Sequence, residues 1–477
     1  MFRIHESGVL GDFGRRPPFV IATEVVAGMG IEPGRMTEFD RRRRTFVDKM
    51  GDAVAVFPSS PAAYRSNDGD FDFRQDSDLY YLTGFEEPES VLVLAPGHKT
   101  EKSILFVRPR NRERETWDGR RAGPEGAVRD FHVDAAYPIE ELGKRLGEFL
   151  ETSDTLYYAF GAHRRMNDLI TDELKRLGSA RRRSDKGGLV LKNPAPIVHE
   201  MRLIKSAADI EGMTRAVRIS GEGHIAAMRY TRPGMYEYEI EAIVEFIFLS
   251  RGAQWPAYSS IVAGGANATI LHYNTNRQRV ADDALVLIDA GAEVDFYCGD
   301  LTRTWPMAGR FTPEQRAIYE LVLAANEQGI GLCRPGVIYN THVHDETVKV
   351  LVSGLIELGI LKGSLQENLE NEKYKEFYMH RTGHYLGLDT HDVGFYKIDG
   401  QWRPLAAGMV VTIEPGLYIP VDSDVEARWR GIGVRIEDNI LITKDGCENL
   451  SEDVPKAVAD IERVIAEGRA TREPLLA

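Results

Sequence analysis

Cysteine is scarce and scattered. The chain of 477 residues holds three, Cys298, Cys333 and Cys447, and no CxxC pair. That pattern fits a reducing compartment, with thiols serving as small apolar residues. Long apolar runs are also missing. No segment offers 18 continuous apolar residues, so no membrane-spanning helix is expected. Positive charge is in deficit, with 59 Lys and Arg against 73 Asp and Glu and a net charge of −14. Phosphate binding needs a cationic footprint, which argues against nucleic acid as the main partner. The one strongly basic cluster, Arg41-Arg42-Arg43-Arg44, falls in TEFDRRRRTFVDKM and reads as the solvated face of a helix. Arg15-Arg16 ahead of FVIATEVVAGMGI imitates a secretory signal, but Glu24 breaks the apolar run and no small-residue cleavage site follows. Residues 1–35 therefore read as an N-terminal extension, and a cytoplasmic location is expected.

What is present has the composition of a soluble globular enzyme, 43% hydrophobic and 28% charged. The length is too great for one ordinary core. Residues 36–190 alternate strand and helix patterns. Strands are expected at 53–57 and 156–160, a hairpin at 90–95 and 103–107 around the polar turn GHKTEK, and a helix at 163–177. The stretch RRRSDKGG at 181–188, followed by KNPAP at 192–196, reads as an interdomain connection. From 197 to 477 the pattern changes. Ser206 with Asp209 caps a helix whose Ile210, Met213, Val217 and His224 share a face. A second helix is expected over 236–250, then a strand-rich block at 258–308. Thr312-Pro313-Glu314-Gln315 opens another helix, with a capping threonine, proline first and glutamine third. A fourth helix over 341–358 and strands over 377–443 follow. The repeated order suggests two similar halves with a site between them.

The clearest chemical signal is LVLIDAGAEVDFYCGDLTRTW. Asp289 and Asp300 are equidistant from a turn centred between Val294 and Asp295, so they are expected to face each other across a hairpin. Opposed carboxylates repel and must be neutralised; an exposed pair at a sheet edge is the alternative. Glu414 in VVTIEPGLYI and Glu437 in GVRIEDNILIT sit in apolar strands where an unpaired carboxylate is costly. Each reads equally as a structural ion pair or as a ligand. His384, in HRTGHYLG, is a fifth candidate. Four carboxylates and a neutral imidazole balance two divalent cations, which suits a hydrolytic two-metal site. Oxygen-rich ligation with one imidazole favours Mn²⁺, with Zn²⁺ or Co²⁺ also able to bind.

The ordered set of LIDAG, GDLTRTW, GHYLGLDTHD, IEPGLY and RIEDN resembles the M24 metallopeptidases of the pita-bread fold. DFDFRQDSDLYYLTGFEEPESVLVL resembles the N-terminal domain of the aminopeptidase P family. The resemblance implies an α/β (α+β) chain. A creatinase-like N-terminal α/β domain is followed by a pita-bread catalytic domain with two pseudo-symmetric halves. It implies hydrolysis of the N-terminal Xaa-Pro bond of peptides with proline second, by a homodimer or homotetramer. It also implies roles. Asp289 chelates one metal, Asp300 and Glu437 bridge both, and His384 and Glu414 complete the second. Glu414 further acts as proton shuttle. His272, His391 and His380 match catalytic histidines around the substrate. Tyr418, Arg435, Trp117 and Asp68 match substrate-binding positions. Arg381 departs from a variable stretch and raises the rival reading of a prolidase, whose dipeptide carboxylate it could bind. Creatinase and methionine aminopeptidase fit less well, since the first lacks these ligands and the second this N-terminal domain. A non-catalytic peptide-binding pita-bread protein is the remote alternative.

Overall fold

The computed structural model describes residues 37–181 and 188–471. The extension read at 1–35 and most of the basic stretch at 181–188 lie outside the described residues.

The first region is built on a six-stranded sheet. Its strand order is Ala135–Pro138, Ser103–Val107, Val91–Leu94, Val54–Pro58, Thr155–Tyr157 and Val190–Lys192. The three central strands are antiparallel, with the expected hairpin in the register Val91↔Phe106 and Leu94↔Ser103. The outer pairs are parallel. Both faces are covered, so these strands read as unbroken apolar runs. Val54, Val56, Val91, Val93, Ile104 and Phe106 pack under the helices Leu142–Leu150 and Arg164–Arg181. Ala55, Phe57, Leu92, Leu94, Leu105 and Val107 face the other way, against Phe46, Leu79 and Phe85. That second face runs without a break into the core of the rest of the chain. Of the connection read at 192–196, Lys192 ends the sheet and Ala195 already starts the helix Ala195–Leu203.

The arginine run is not a solvated face. Arg42 and Arg43 are 4% and 5% exposed. Four consecutive residues span more than a full helical turn, so they cannot all point to solvent. Arg42 donates to Asp209 at 2.7 Å and to the Tyr81 carbonyl, tying the first region to the second. Arg43 donates to the Leu82 carbonyl at 2.9 Å and pairs with Asp40.

The second region follows the expected repeat. Helices Ala207–Tyr230 and Glu237–Ser250 precede the sheet of Ile261–Gly264, Leu285–Asp289 and Thr302–Pro306. Helices Pro313–Leu332 and His344–Glu357 precede that of Val410–Ile413, Asp438–Ile442 and Cys447–Asn449. Both anticipated capping boxes, Ser206 with Asp209 and Thr312 with Gln315, are formed. A helix not anticipated, Val458–Thr471, packs on Ala207–Tyr230 through Ile461, Val464 and Ile465. No helix among the described residues is long and apolar enough to cross a membrane.

Candidate metal centre

The hairpin that carries Asp289 and Asp300 turns one residue later than its sequence suggests. Asp295 and Phe296 both take positive φ, 48° and 68°, as the two central residues of a tight hairpin turn. Glu293 therefore pairs with Cys298, and Asp289 pairs with Thr302, not Asp300. The two aspartates are diagonal neighbours instead of opposed ones. Residues two apart on a strand share a face, so they still converge. Midway, the ladder is pinched: a Cβ on Gly291 would lie 1.7 Å from the Gly299 carbonyl oxygen, so only glycine fits there.

The second half ends its ladder at the site. Val410–Ile413 pairs with Asp438–Ile442 up to Ile413↔Asp438. Continuing that register by one rung sets Glu414 across from Glu437. An isolated bridge between Thr302 and Glu437 then joins the two halves. His384 is held by its backbone, which accepts from Thr412 N–H at 2.9 Å and donates to Thr412 Oγ1 at 3.1 Å. Its Nδ1 is 2.9 Å from the Tyr385 carbonyl. That contact turns Nε2, the nitrogen that would ligate a cation, toward the carboxylates. Nε2 lies 3.3 Å from Asp300 and 3.6 Å from Glu414.

Asp300, His384 and Glu437 offer donor atoms all within 4.8 Å of one another. Asp289 is drawn aside: its Oδ2 accepts from Arg435 at 2.7 Å. The Tyr258 hydroxyl is 2.6 Å from both Asp289 and Asp300. These groups line a cavity of about 370 Å³ with Ser259, Ile261, His272, Asn274, Thr390 and His391. Burial pushes Glu414 up to about 7, with His384 opposing and Asp300 adding to the rise. Burial, Asp300 and Glu414 push Glu437 well above the carboxylate range. For His384 burial opposes the charge, yet Asp300 and Glu414 carry it up to about 9. Two buried glutamates that resist ionisation, converging with two aspartates beside an oriented imidazole, fit divalent cations.

The other candidates divide. His391 and His272 line the cavity, the His391 ring 4.1 Å from that of His384. His380 lies behind it, 2.8 Å from the Tyr418 hydroxyl, which accepts from Arg435 at 3.0 Å. Arg381 is exposed and lines no part of this cavity; its charge acts on His344 and Asp345. Trp117, 84% exposed, and Asp68 lie on the surface of the first region and do not reach the cavity of their own chain. Tyr258 escaped sequence reading altogether. So did Asn439, whose side-chain oxygen accepts from the Asp300 N–H at 3.1 Å. A buried asparagine in the apolar run IEDNILIT was the available signal.

Comparison with known proteins agrees with this geometry. Residues 211–444 match metallopeptidase family M24, and residues 39–157 match the aminopeptidase P N-terminal domain. The Xaa-Pro aminopeptidase of Haemophilus influenzae is 44% identical over 90% of this chain and 97% of its own. The chain belongs to metallopeptidase family M24. Another M24 relative, the Xaa-Pro aminopeptidase of Escherichia coli, is 42% identical over 91% of this chain and 98% of its own. The solved Pseudomonas aeruginosa aminopeptidase PepP superposes with a TM-score of 0.89 at 44% identity, covering 91% of this chain and 99% of that one. A Zn-substituted E. coli aminopeptidase P with product bound gives 0.88 at 42%, covering 91% and 99%. The architecture is thus an N-terminal domain followed by a pita-bread catalytic domain, and the M24 centre is one for divalent metal ions.

Proposed function

We propose that the chain removes the N-terminal residue from peptides whose second residue is proline. Two Mn²⁺ ions would be held by Asp289, Asp300, His384, Glu414 and Glu437. The observation that carries this reading is the convergence of those five side chains on one cavity rimmed by His272 and His391. When bound, the divalent ions acidify a water and polarise the scissile carbonyl. The bond to proline is a tertiary amide without an N–H, so attack cannot rely on binding that group. Glu414 takes the proton of the attacking water and delivers it to the departing proline nitrogen. His391 and His272 donate to the oxygen that becomes negative. His380, Tyr418 and Arg435 support the site from behind. Arg435 fixes Asp289, and Tyr418 joins it to His380.

Trp117 and Asp68 would bind substrate in the cavity of a second copy, within a homodimer or homotetramer. Their exposure in a single chain supports this. A cytoplasmic location is supported by three free cysteines. The prolidase alternative loses its main argument, because the Arg381 side chain is exposed and does not line the cavity. The test is a matched pair, Xaa-Pro against Xaa-Pro-Yaa-Yaa, at equal concentration. The longer peptide should be cut with release of only its first residue, and N-acetylation should block the reaction. Hydrolysis of the dipeptide alone would overturn this reading in favour of a prolidase.

A further inference from the structure

The loop that presents His391 is held from outside. His391 faces the cavity, while Asp389 and Asp392 on either side of it are gripped by cations. Asp392 accepts from Lys205 at 2.9 Å and from Arg202 at 2.6 Å. The same terminal nitrogen of Arg202 reaches Asp389 at 2.6 Å, and its other one reaches Asp78 of the N-terminal domain at 2.8 Å. One guanidinium thus joins three carboxylates. The N-terminal domain adds the Ser77 hydroxyl, which donates to Asp389 at 2.7 Å, and Arg74, which donates to the Leu388 carbonyl at 2.5 Å. Arg74 is itself fixed by Glu293 through bonds of 2.8 and 3.0 Å.

These contacts are positioned to transmit geometry. The side chains of Arg202 and Asp392 are 3% and 1% exposed, so water cannot replace a lost partner. The Asp392 carboxylate also packs on bare backbone: a Cβ on Gly387 would lie 2.1 Å from it. The loop cannot drift without breaking a desolvated ion pair. We propose that Arg202 is a positioning residue for His391, with Ser77 and Arg74 forming the N-terminal domain's part of the same clamp. The inference rests on the role given to His391 under Proposed function. It makes domain docking and the placement of an oxyanion donor one structural event.

Lysine cannot replace the guanidinium, because a point charge does not span three carboxylates. The test is a double-mutant cycle on the metal-loaded enzyme cutting Xaa-Pro-Yaa-Yaa, with metal content measured for each variant. Arg202→Lys should keep its metal and KM and lose about 10- to 100-fold in kcat, the scale of a misplaced group. His391→Ala should lose about 10²–10³. The double variant should be no slower than His391→Ala, because Arg202 acts through that ring. Ser77→Ala removes two bonds of the clamp, the one it donates to Asp389 and the one it accepts from Arg74, without burying a charge. It should give a smaller loss that likewise vanishes on the His391→Ala background, and it carries the cycle if Arg202→Lys does not fold. Losses that multiply in the double variants would overturn the inference. Full turnover in His391→Ala would overturn the role of His391 first, and the inference with it.

Discussion

Arg435 donates to Asp289 across 2.7 Å, from a side chain that is only 4% exposed. Its other nitrogens serve Tyr418 and Thr302 at 3.0 and 3.2 Å. Asp289 is therefore aimed before any ion arrives. Removing one partner of a buried pair strands the other charge, at a cost of about 3–5 kcal/mol. Arg435→Met should lower the urea midpoint of chelator-treated protein by a corresponding amount. Arg435→Lys, which keeps the charge but loses the fork, should fall between. Unchanged midpoints in both variants would mean that Arg435 does not anchor Asp289.

Asp300 stands at the crowded centre, 2.6 Å from the Tyr258 hydroxyl and 3.3 Å from His384. As the carboxylate proposed to bridge two ions, it should hold both. Asp300→Ala is expected to lose bound metal and hydrolysis together, as read by elemental analysis and peptide assay. Chelation of the parent should abolish hydrolysis and Mn²⁺ should restore it. Full activity in a metal-free preparation would refute the two-metal reading.

Much of this centre could be read from sequence, and the misreadings have physical causes. The four carboxylates stand at the ends of short apolar strands or just beside them, where an ionisable group is conspicuous, so Asp289, Asp300, Glu414 and Glu437 are each visible in the sequence. Their pairing is not. The hairpin turns at Asp295-Phe296, and a phenylalanine at positive φ carries no compositional turn signal. Sequence symmetry therefore centres the turn one residue early, yet keeps the shared face, because two residues along a strand return to the same side. Nothing local in the sequence announces Asp209 or the backbone carbonyls that bury Arg42 and Arg43. The helix Val458–Thr471 does carry a local signal, since Ile461, Val464 and Ile465 follow a helical spacing. Trp117 and Asp68 are exposed and do not line the cavity of their own chain, so the structure of one chain gives them no part in the site.

His224 supplies a pH dependence. It is fully buried, with Nε2 2.9 Å from the Ala290 carbonyl and no partner for Nδ1 among the described residues. Burial lowers its pKa from 6.5 to about 4. The unfolded chain then binds more protons than the folded one between those values, so stability rises with pH there. The contribution is full above pH 6.5 and is lost as pH falls toward 4. A shift of this size is worth about 3 kcal/mol. Stability curves should therefore be steeper in this window for the parent than for His224→Gln. Glutamine keeps a donor for Ala290 but has no proton to gain. Identical slopes would remove His224 as the source.

Tyr258 gives the sharpest separation of fold from function. Its hydroxyl lies 2.6 Å from Asp289 Oδ1 and 2.6 Å from Asp300 Oδ1. A phenol has one proton and donates to one of these oxygens at a time. Burial and the two aspartates push its own ionisation far up, so it remains a donor across the working range. Without the hydroxyl the ring keeps its place, but the two carboxylates lose the group that spaces them. Partners that orient metal-binding groups typically carry 10- to 100-fold in metal affinity or activity. Tyr258→Phe should therefore fold and melt close to the parent in the metal-free state. It should also need about 10- to 100-fold more Mn²⁺ for half-maximal activity. The measurement is a metal titration of chelator-stripped protein, read by hydrolysis and by calorimetry. Parent-like affinity and turnover would show that Asp289 and Asp300 are held by Arg435 and the ladder alone.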